Sequence, residues 1–330
     1  MRRPTIQDVA KLAGVGTTTV SRVLNRHTSA SQKARERVIR AVEELAYVPN
    51  PAAKRFRTGQ THAVSVLLPL MGTEFYTQLF ESVQEVFEHC DMDMALFPVL
   101  EGIVLKRYRD PYALPYHADG MLIVSLEPER LYEGKTPPFT KPIVLLDAHH
   151  PKYHSVYFDN LAAGRLAAEY ALASGLPIAI VDVEEVSGAF ASQAHQERRR
   201  GIEQTLERQG VSPVVSVKTP LSIEGGRQAA THLLAAGLRK GNFILSTTDD
   251  VAVGVAKHVT DKGWKLGKDV KVLGFDDNSR ARAAALTTIH QPIEEMGRSA
   301  ATVLLAALAG KLSVIEQRRF APRLVVRDSA

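Results

Sequence analysis

The sequence predicts an α/β protein that begins with a small all-α head, and three observations carry that reading. Residues 5–46 place apolar side chains at helical spacing around a glycine corner. From His62 onward, short β-branched runs alternate with amphipathic stretches, the pattern of parallel strands joined by helices. Positive charge is confined to one end: residues 1–57 hold 12 Lys and Arg against 4 Asp and Glu, and the remainder holds 29 against 32. That polarity suits a DNA-binding head on a near-neutral body.

The head reads as a helix-turn-helix. Thr5 and Asp8 have capping-box spacing. Val9, Ala10, Leu12 and Ala13 form the expected buried stripe of a first helix; Gly14 makes the turn and Val15 plugs the corner. A second helix is expected from about Thr17, with Val20, Val23 and Leu24 inward. Thr17, Thr18, Ser21, Arg22 and Asn25 fall on its other face. Hydroxyls and a guanidinium there suit base edges and phosphates in a major groove. A helical hairpin in an ordinary core shows the same glycine between apolar stripes, and the charge polarity favours the DNA reading. A third helix, Ser31–Ala46, should close the core with Val38, Ile39, Val42 and Leu45. Its Arg35, Arg37 and Arg40 are either a solvated face or phosphate contacts. Tyr47-Val48-Pro49-Asn50-Pro51 breaks that helix. Ala52–Phe56 can make one turn, too short to be stable alone, and Arg57–Thr61 reads as a flexible link.

In the body, strands are expected at Ala63–Leu68, Met92–Phe97, Met121–Val124, Pro142–Leu146 and Ser155–Phe158, with helices at Phe75–His89 and Ala162–Ala173. The pattern then restarts. Strands are expected at Pro177–Val183, Val214–Val217, Phe243–Ser246 and Val270–Phe275, and helices near Glu197–Arg208, Gly226–Ala236 and Val251–Lys262. Two restarts imply two similar subdomains, and ligands of such sheets bind beyond the carboxyl ends of the strands.

Composition narrows the function. Hydrophobic content of 45% is ordinary for a globular protein. A single cysteine, Cys90, leaves no internal disulfide and suits a reducing cytosol. No apolar run approaches a membrane span, and the residues behind Arg2 and Arg3 are not a secretory signal, so a soluble cytoplasmic protein with no membrane partner is expected. An enzyme is not expected. The first strand is followed by Pro69-Leu70-Met71-Gly72-Thr73 rather than a dinucleotide-binding glycine pattern, and nucleophile elbow, phosphate loop and zinc spacing are all missing. No cofactor is expected. Asp276 and Asp277 are adjacent carboxylates without a His or Cys cluster, so no metal is expected. A transport-type solute-binding protein would share the body; the basic head argues against it.

The run TIQDVAKLAGVGTTTVSRVLN, followed by ARERVIRAVEELAYVPNPAAKRFRTGQT, resembles the headpiece and hinge of the LacI/GalR family of bacterial transcription regulators, and the resemblance extends through the body. It implies a head at 1–46, a hinge and linker at 47–61, and a periplasmic-binding-protein-like effector and dimerisation domain at 62–330. Within that domain one subdomain spans about 62–160 and 291–321, the other about 161–290 and 322–330. It implies DNA contacts from Thr5, Thr17, Thr18, Thr19, Ser21, Arg22, Asn25, Lys54 and Phe56. The last is a minor-groove wedge where leucine is usual, and Lys54 stands where arginine is usual. Implied partners are a pseudo-palindromic double-stranded operator, a small effector, most often a carbohydrate, and a second copy of the chain. Without a C-terminal leucine heptad a dimer is expected.

Implied effector contacts are Arg198 and Asp276, with Phe75, Tyr76, Ser125, Asp147, Ser192, Leu221, Thr248 and Asp249 beside them. The family pattern sets a glycine three residues after the arginine, here Gly201, which selects Arg198 among three consecutive arginines; Arg199 and Arg200 are read as a solvated face. Thr248 stands where the family has asparagine, and Asp249 is read as either a ligand contact or a helix cap. Leu221 stands where relatives carry a stacking ring, which argues against an aromatic ligand, although Phe75 or Phe190 could stack on a sugar. The segment Leu100–Ala118 is rich in Tyr and Pro, and a truncated second helix is expected there.

Overall fold

The computed structural model describes residues 4–24, 30–47, 61–69, 73–99, 108–110, 112–184 and 192–330. The chain forms two compact units, Met1–Thr61 and His62–Ala330.

In the first unit, three helices pack together: α1 (Ile6–Ala13), α2 (Thr17–Leu24) and α3 (Gln32–Glu44). The capping box forms, with the Asp8 amide donating to Thr5 and the Thr5 amide donating to the Asp8 carboxylate. Gly14 takes the left-handed conformation (φ 58°) that ends α1, a position an L side chain would strain. Arg37 of α3 donates to the Gly14 carbonyl at 2.8 Å, so the third helix clamps the corner. Val9, Ala10, Ala13, Val20, Val23, Val38 and Ala41 form the core, with Val15, Leu24, Val42 and Leu45 packed around it.

Two expected core residues lie outside. Leu12 and Ile39 are each 46% exposed. At about 100° per residue, Val9, Ala13 and Ala10 already fill one arc of α1, and Leu12 falls beyond its edge. On α3 the arc is set by Val38, Ala41, Val42 and Leu45, so Ala41 is buried and Ile39 turns outward.

The second unit contains two six-stranded sheets. The first has strands β1 (Ala63–Leu68), β2 (Asp93–Pro98), β3 (Gly120–Val124), β4 (Ile143–Leu146), β5 (His154–Phe158) and a late strand Gln317–Phe320. The second has β6 (Ile178–Val183), β7 (Val215–Thr219), β8 (Asn242–Ser246), β9 (Val270–Asp276), β10 (Thr287–His290) and a last strand Arg323–Val325. The two late strands are β11 and β12. Strand orders are β2-β1-β3-β4-β5-β11 and β7-β6-β8-β9-β10-β12, the same winding twice. Pairing is parallel except for β12 against β10.

Helices α4 (Glu74–Glu88), α5 (Pro128–Leu131), α6 (Asn160–Ala173), α7 (Gln193–Arg208), α8 (Ile223–Ala235), α9 (Asp249–Asp261), α10 (Ser279–Ala283) and α11 (Ile293–Leu308) complete the body. Alternate strand residues serve opposite faces. Val64, Val66 and Leu68 of β1 join the core under α4 and α11, while Leu67 joins a separate cluster with Tyr108, Tyr132 and Met121. In β9, Leu273 and Phe275 face one core and Val270 and Val272 the other.

The chain passes between the sheets three times, after β5, after β10 and between β11 and β12. The sequence reading stopped at β9. It missed α11, whose Ile293, Met296, Ala300 and Leu304 are buried against the first sheet. Between β2 and β3 the described residues contain only a 3₁₀ turn, Leu114–His117.

Candidate functional site

Beyond the carboxyl ends of the strands the two halves enclose a cavity of about 610 Å³. Its polar floor is built from strand ends. Ser125 follows β3, Asp147 follows β4 and Asp276 ends β9, with φ of 52°, 57° and 109°. All three lie in the left-handed region, which turns each side chain out of its strand direction; strain of this kind gathers at binding sites. Ser125 donates to Asp147 at 2.6 Å.

Arg198 lies on α7 and is 3% exposed. Its Nε and Nη2 donate to Asn160 Oδ1 at 3.1 and 2.9 Å, and Nη1 donates to the Thr247 carbonyl at 2.6 Å. Longer contacts run from Nη1 to Asp276 (3.4 Å) and from Nη2 to Gln291 (3.5 Å). Gln291 in turn donates to Asp147 at 3.5 Å. The guanidinium also sits 4.5 Å from the centre of the Phe275 ring. Gly201 explains the spacing that singled out Arg198: a Cβ there would overlap the Leu161 carbonyl, so glycine lets α7 press onto α6 and bury the arginine one turn earlier.

Burial dominates the titration of this floor. It pushes Asp276 up to about 7; Arg198 opposes the shift, and Asp147 and Asp250 add to it. It pushes Asp147 up to about 6 against the hydrogen bond from Ser125 and the charge of Arg198. His195, which also lines the cavity, is driven down to about 4 by burial and then by Arg198.

Phe75, Tyr76, Ser192, Leu221 and Thr248 also line the cavity. Phe75 and Tyr76 meet edge to face at 5.0 Å, and burial raises the Tyr76 hydroxyl's pKa. Ser192 accepts from the His195 amide and caps α7. Thr248 precedes α9 with its hydroxyl buried and without a partner among the described residues.

Two expectations are corrected. Asp249 does not line the cavity. It is completely buried, accepting from Thr288 Oγ1 at 2.7 Å and from the Asn278 amide at 2.9 Å, because it is the first residue of α9 and points back into the sheet. Arg199 is not a solvated face: it donates to Asp182 at 2.6 Å and to Glu203 at 2.7 Å, since the buried carboxylate of Asp182, next to the last residue of β6, needs a counter-charge. Arg200 is exposed. Phe190 lies outside the described residues.

Sequence reading missed Asn160, Gln291, His195, Asp250 and Glu74. Asn160 and Gln291 sit at interdomain passages, and only the Asp159–Asn160 helix start and the Gln291–Pro292 break mark them in the sequence. Contacts also cross the mouth. Glu74 accepts from the Ser279 amide and hydroxyl at 2.8 and 2.6 Å, and His149 meets Glu197 at 2.9 Å.

In the head, Thr17, Thr18 and Arg22 are exposed on α2, Thr19 and Ser21 are half-buried, and Thr5 caps α1. Asn25, Lys54 and Phe56 lie outside the described residues. No described helix is long and apolar enough to cross a membrane, and no described His, Cys, Asp and Glu cluster could hold a metal.

A three-helix head followed by a doubled, cleft-forming α/β body has the parts of a DNA-binding regulator, and comparison with known proteins agrees. Residues 5–50 match the profile of bacterial regulatory proteins of the lacI family, and residues 179–330 that of a periplasmic binding protein-like domain. The ribose operon repressor of Escherichia coli (strain K12) is 29% identical over 99% of both chains. The crystal structure of the lac repressor dimer bound to operator and the anti-inducer ONPF superposes with a TM-score of 0.84, at 25% identity over 99% of both chains. A probable transcription regulator from Thermus thermophilus is 37% identical, covering 81% of this chain and 97% of that one, with a TM-score of 0.69. The chain belongs to the LacI family of bacterial regulatory proteins: it is a DNA-binding transcriptional regulator and not an enzyme.

Proposed function

We propose that this chain is a cytoplasmic repressor whose operator affinity is set by a small polyhydroxylated effector, a sugar or sugar derivative, bound in the cleft. The observation that carries this reading is the Arg198 network. Through Asp276 and Thr247 it touches the second half, and through Gln291 it reaches Asp147 of the first. A ligand with adjacent hydroxyls can bond Asp276 and Asp147 together, and so favours one relative placement of the halves. The ribose operon repressor, by its name, belongs to sugar regulation.

Control follows from linkage. An effector that binds one arrangement of the halves better than another shifts the population toward it. In a homodimer this changes the spacing of the two heads, and hence their register on a pseudo-palindromic operator. Thr17, Thr18, Thr19, Ser21, Arg22 and Asn25 read the major groove, Thr5 holds the first helix against the backbone, and Lys54 and Phe56 engage the minor groove.

Operator binding is measured with duplexes selected from a random pool, with and without candidate sugars. Arg22→Ala and Phe56→Ala should each weaken operator binding and leave effector binding intact. Arg198→Ala and Asp276→Ala should remove the effector response and leave operator binding. A normal effector response in both of the latter variants places the effector elsewhere. Binding should also weaken steeply with salt.

A further inference from the structure

Five carboxylates line the cavity: Glu74, Asp147, Glu184, Asp250 and Asp276. The only guanidinium among the described lining residues is Arg198, and no lysine joins it. Arg198 is already engaged within the protein, through three short hydrogen bonds and two longer contacts at 3.4 and 3.5 Å. An arginine has five N–H donors, and here they face Asn160 twice, the Thr247 carbonyl, Asp276 and Gln291. His195, held neutral by burial, adds no positive charge near pH 7. Of the carboxylates, Asp250 is balanced by Arg280 at 3.0 Å, whereas Glu74 takes only uncharged donors among the described residues, from Ser279 and Gln78. Among the described residues the lining is therefore short of cations.

Thr248 supplies an independent observation. Its side chain lines the cavity, the residue is 4% exposed, and its hydroxyl has no partner among the described residues. A hydroxyl both donates and accepts, so it matches another hydroxyl or an amine without adding or needing charge.

Building on the effector reading above, we propose that the cleft selects polyhydroxylated ligands that are uncharged or carry an amine, and rejects the phosphate- and carboxylate-bearing forms of the same skeletons. A phosphate brought into this partly desolvated site would face five carboxylates against one guanidinium that is already engaged among the described residues, a repulsion that low dielectric strengthens. Ring hydroxyls, by contrast, can donate to Asp276 and Asp147 and pair with Thr248. An ammonium group would gain from the same carboxylates and would draw protons off Asp147 and Asp276 as it binds.

Two measurements on the full-length protein test this. In the first, methyl NMR reads relaxation of Ile293, Leu221 and Ala194, which line the cavity, in the presence of cationic aminomethyl-PROXYL or anionic carboxy-PROXYL; exposed Leu114 is the reference. The cationic probe should relax the cleft methyls several-fold more than the anionic one, relative to Leu114, with the difference shrinking as salt rises. Equal relaxation, or stronger relaxation by the anion, overturns the proposal. In the second, thermal unfolding is followed with ribose, glucose and glucosamine, each beside its phosphate ester. Stabilisation by a parent sugar or by glucosamine alone supports the selection; stabilisation by a phosphate whose parent is inert overturns it. If none of these compounds stabilises the protein, the sugar-effector reading is what fails, and the nitroxide experiment still decides the charge selection.

Discussion

The two halves of the body share one strand order but cover their sheets differently. In the second half, helices lie on both faces and cross with glycines at the contact. Gly164 and Gly201 bring α6 and α7 into backbone contact, and Gly226 and Gly254 do the same for α8 and α9. Among the described residues of the first half only one face has a helix pair, α4 with α11, and its crossing has glycine on one side alone, Gly297 against Ser82 and the Leu79 carbonyl. The other face is closed among the described residues by short turns and a cluster of Tyr108, Tyr116, Tyr132 and Phe139. The same winding is thus finished by backbone-to-backbone packing in one half and by large side chains in the other. Interiors are close-packed in either case. What differs is whether the contact can adjust: an aromatic side chain can shift, and a helix backbone pressed on a carbonyl cannot.

The largest effect should come from the aromatic cluster. Tyr132 is among the largest fully buried side chains, and Tyr132→Ala should cost about 3–5 kcal/mol in urea unfolding. A loss below about 1 kcal/mol would mean that the first half's second face contributes little packing.

Next come the crossings. Gly201→Ala sets a Cβ against the Leu161 carbonyl and should cost about 3 kcal/mol, whereas Gly297→Ala meets first the Ser82 hydroxyl, which can turn, and less closely the Leu79 carbonyl, and should cost about 2 kcal/mol. Equal costs would erase the distinction between the halves.

Smaller, and confined to the cleft, is a pH effect. Asp276 and Asp147 hold their protons to about 7 and 6 in the folded chain. The folded state therefore binds more protons than the unfolded one across the acid range. This contribution to stability is fully present below about pH 4 and is lost as pH rises toward 7. Asp276→Asn should flatten that fall, raising stability near pH 8 by roughly 2 kcal/mol relative to its effect at pH 4. An unchanged slope between pH 4 and 8 would mean that Asp276 is not buried against its neighbours as found.

Much of the fold was legible because periodicity survives without tertiary information. The capping box at Thr5 and Asp8, the glycine corner and every strand from β1 to β9 follow from local spacing. Leu12 and Ile39 were misplaced because a short amphipathic helix offers more than one apolar arc, and only the neighbouring helices choose among them. Helix α11 is amphipathic, yet it follows a strand that no turn signal announced.

Within the cleft, Arg198 was identifiable through the family's spacing of arginine and glycine, and the structure supplies the physical reason for Gly201: a Cβ there would overlap the Leu161 carbonyl. The strand-end residues Ser125, Asp147 and Asp276 were visible as polar stops after apolar runs. Their left-handed backbone, the saturation of Arg198 by Asn160, Thr247 and Gln291, and the inward turn of Asp249 were not. Local sequence determines where strands, helices and caps begin, since those depend on neighbours a few residues apart. Tertiary structure alone decided which donors and acceptors meet across separations of 38 to 93 residues, as around Arg198, because a buried charge takes whatever partners folding brings within reach.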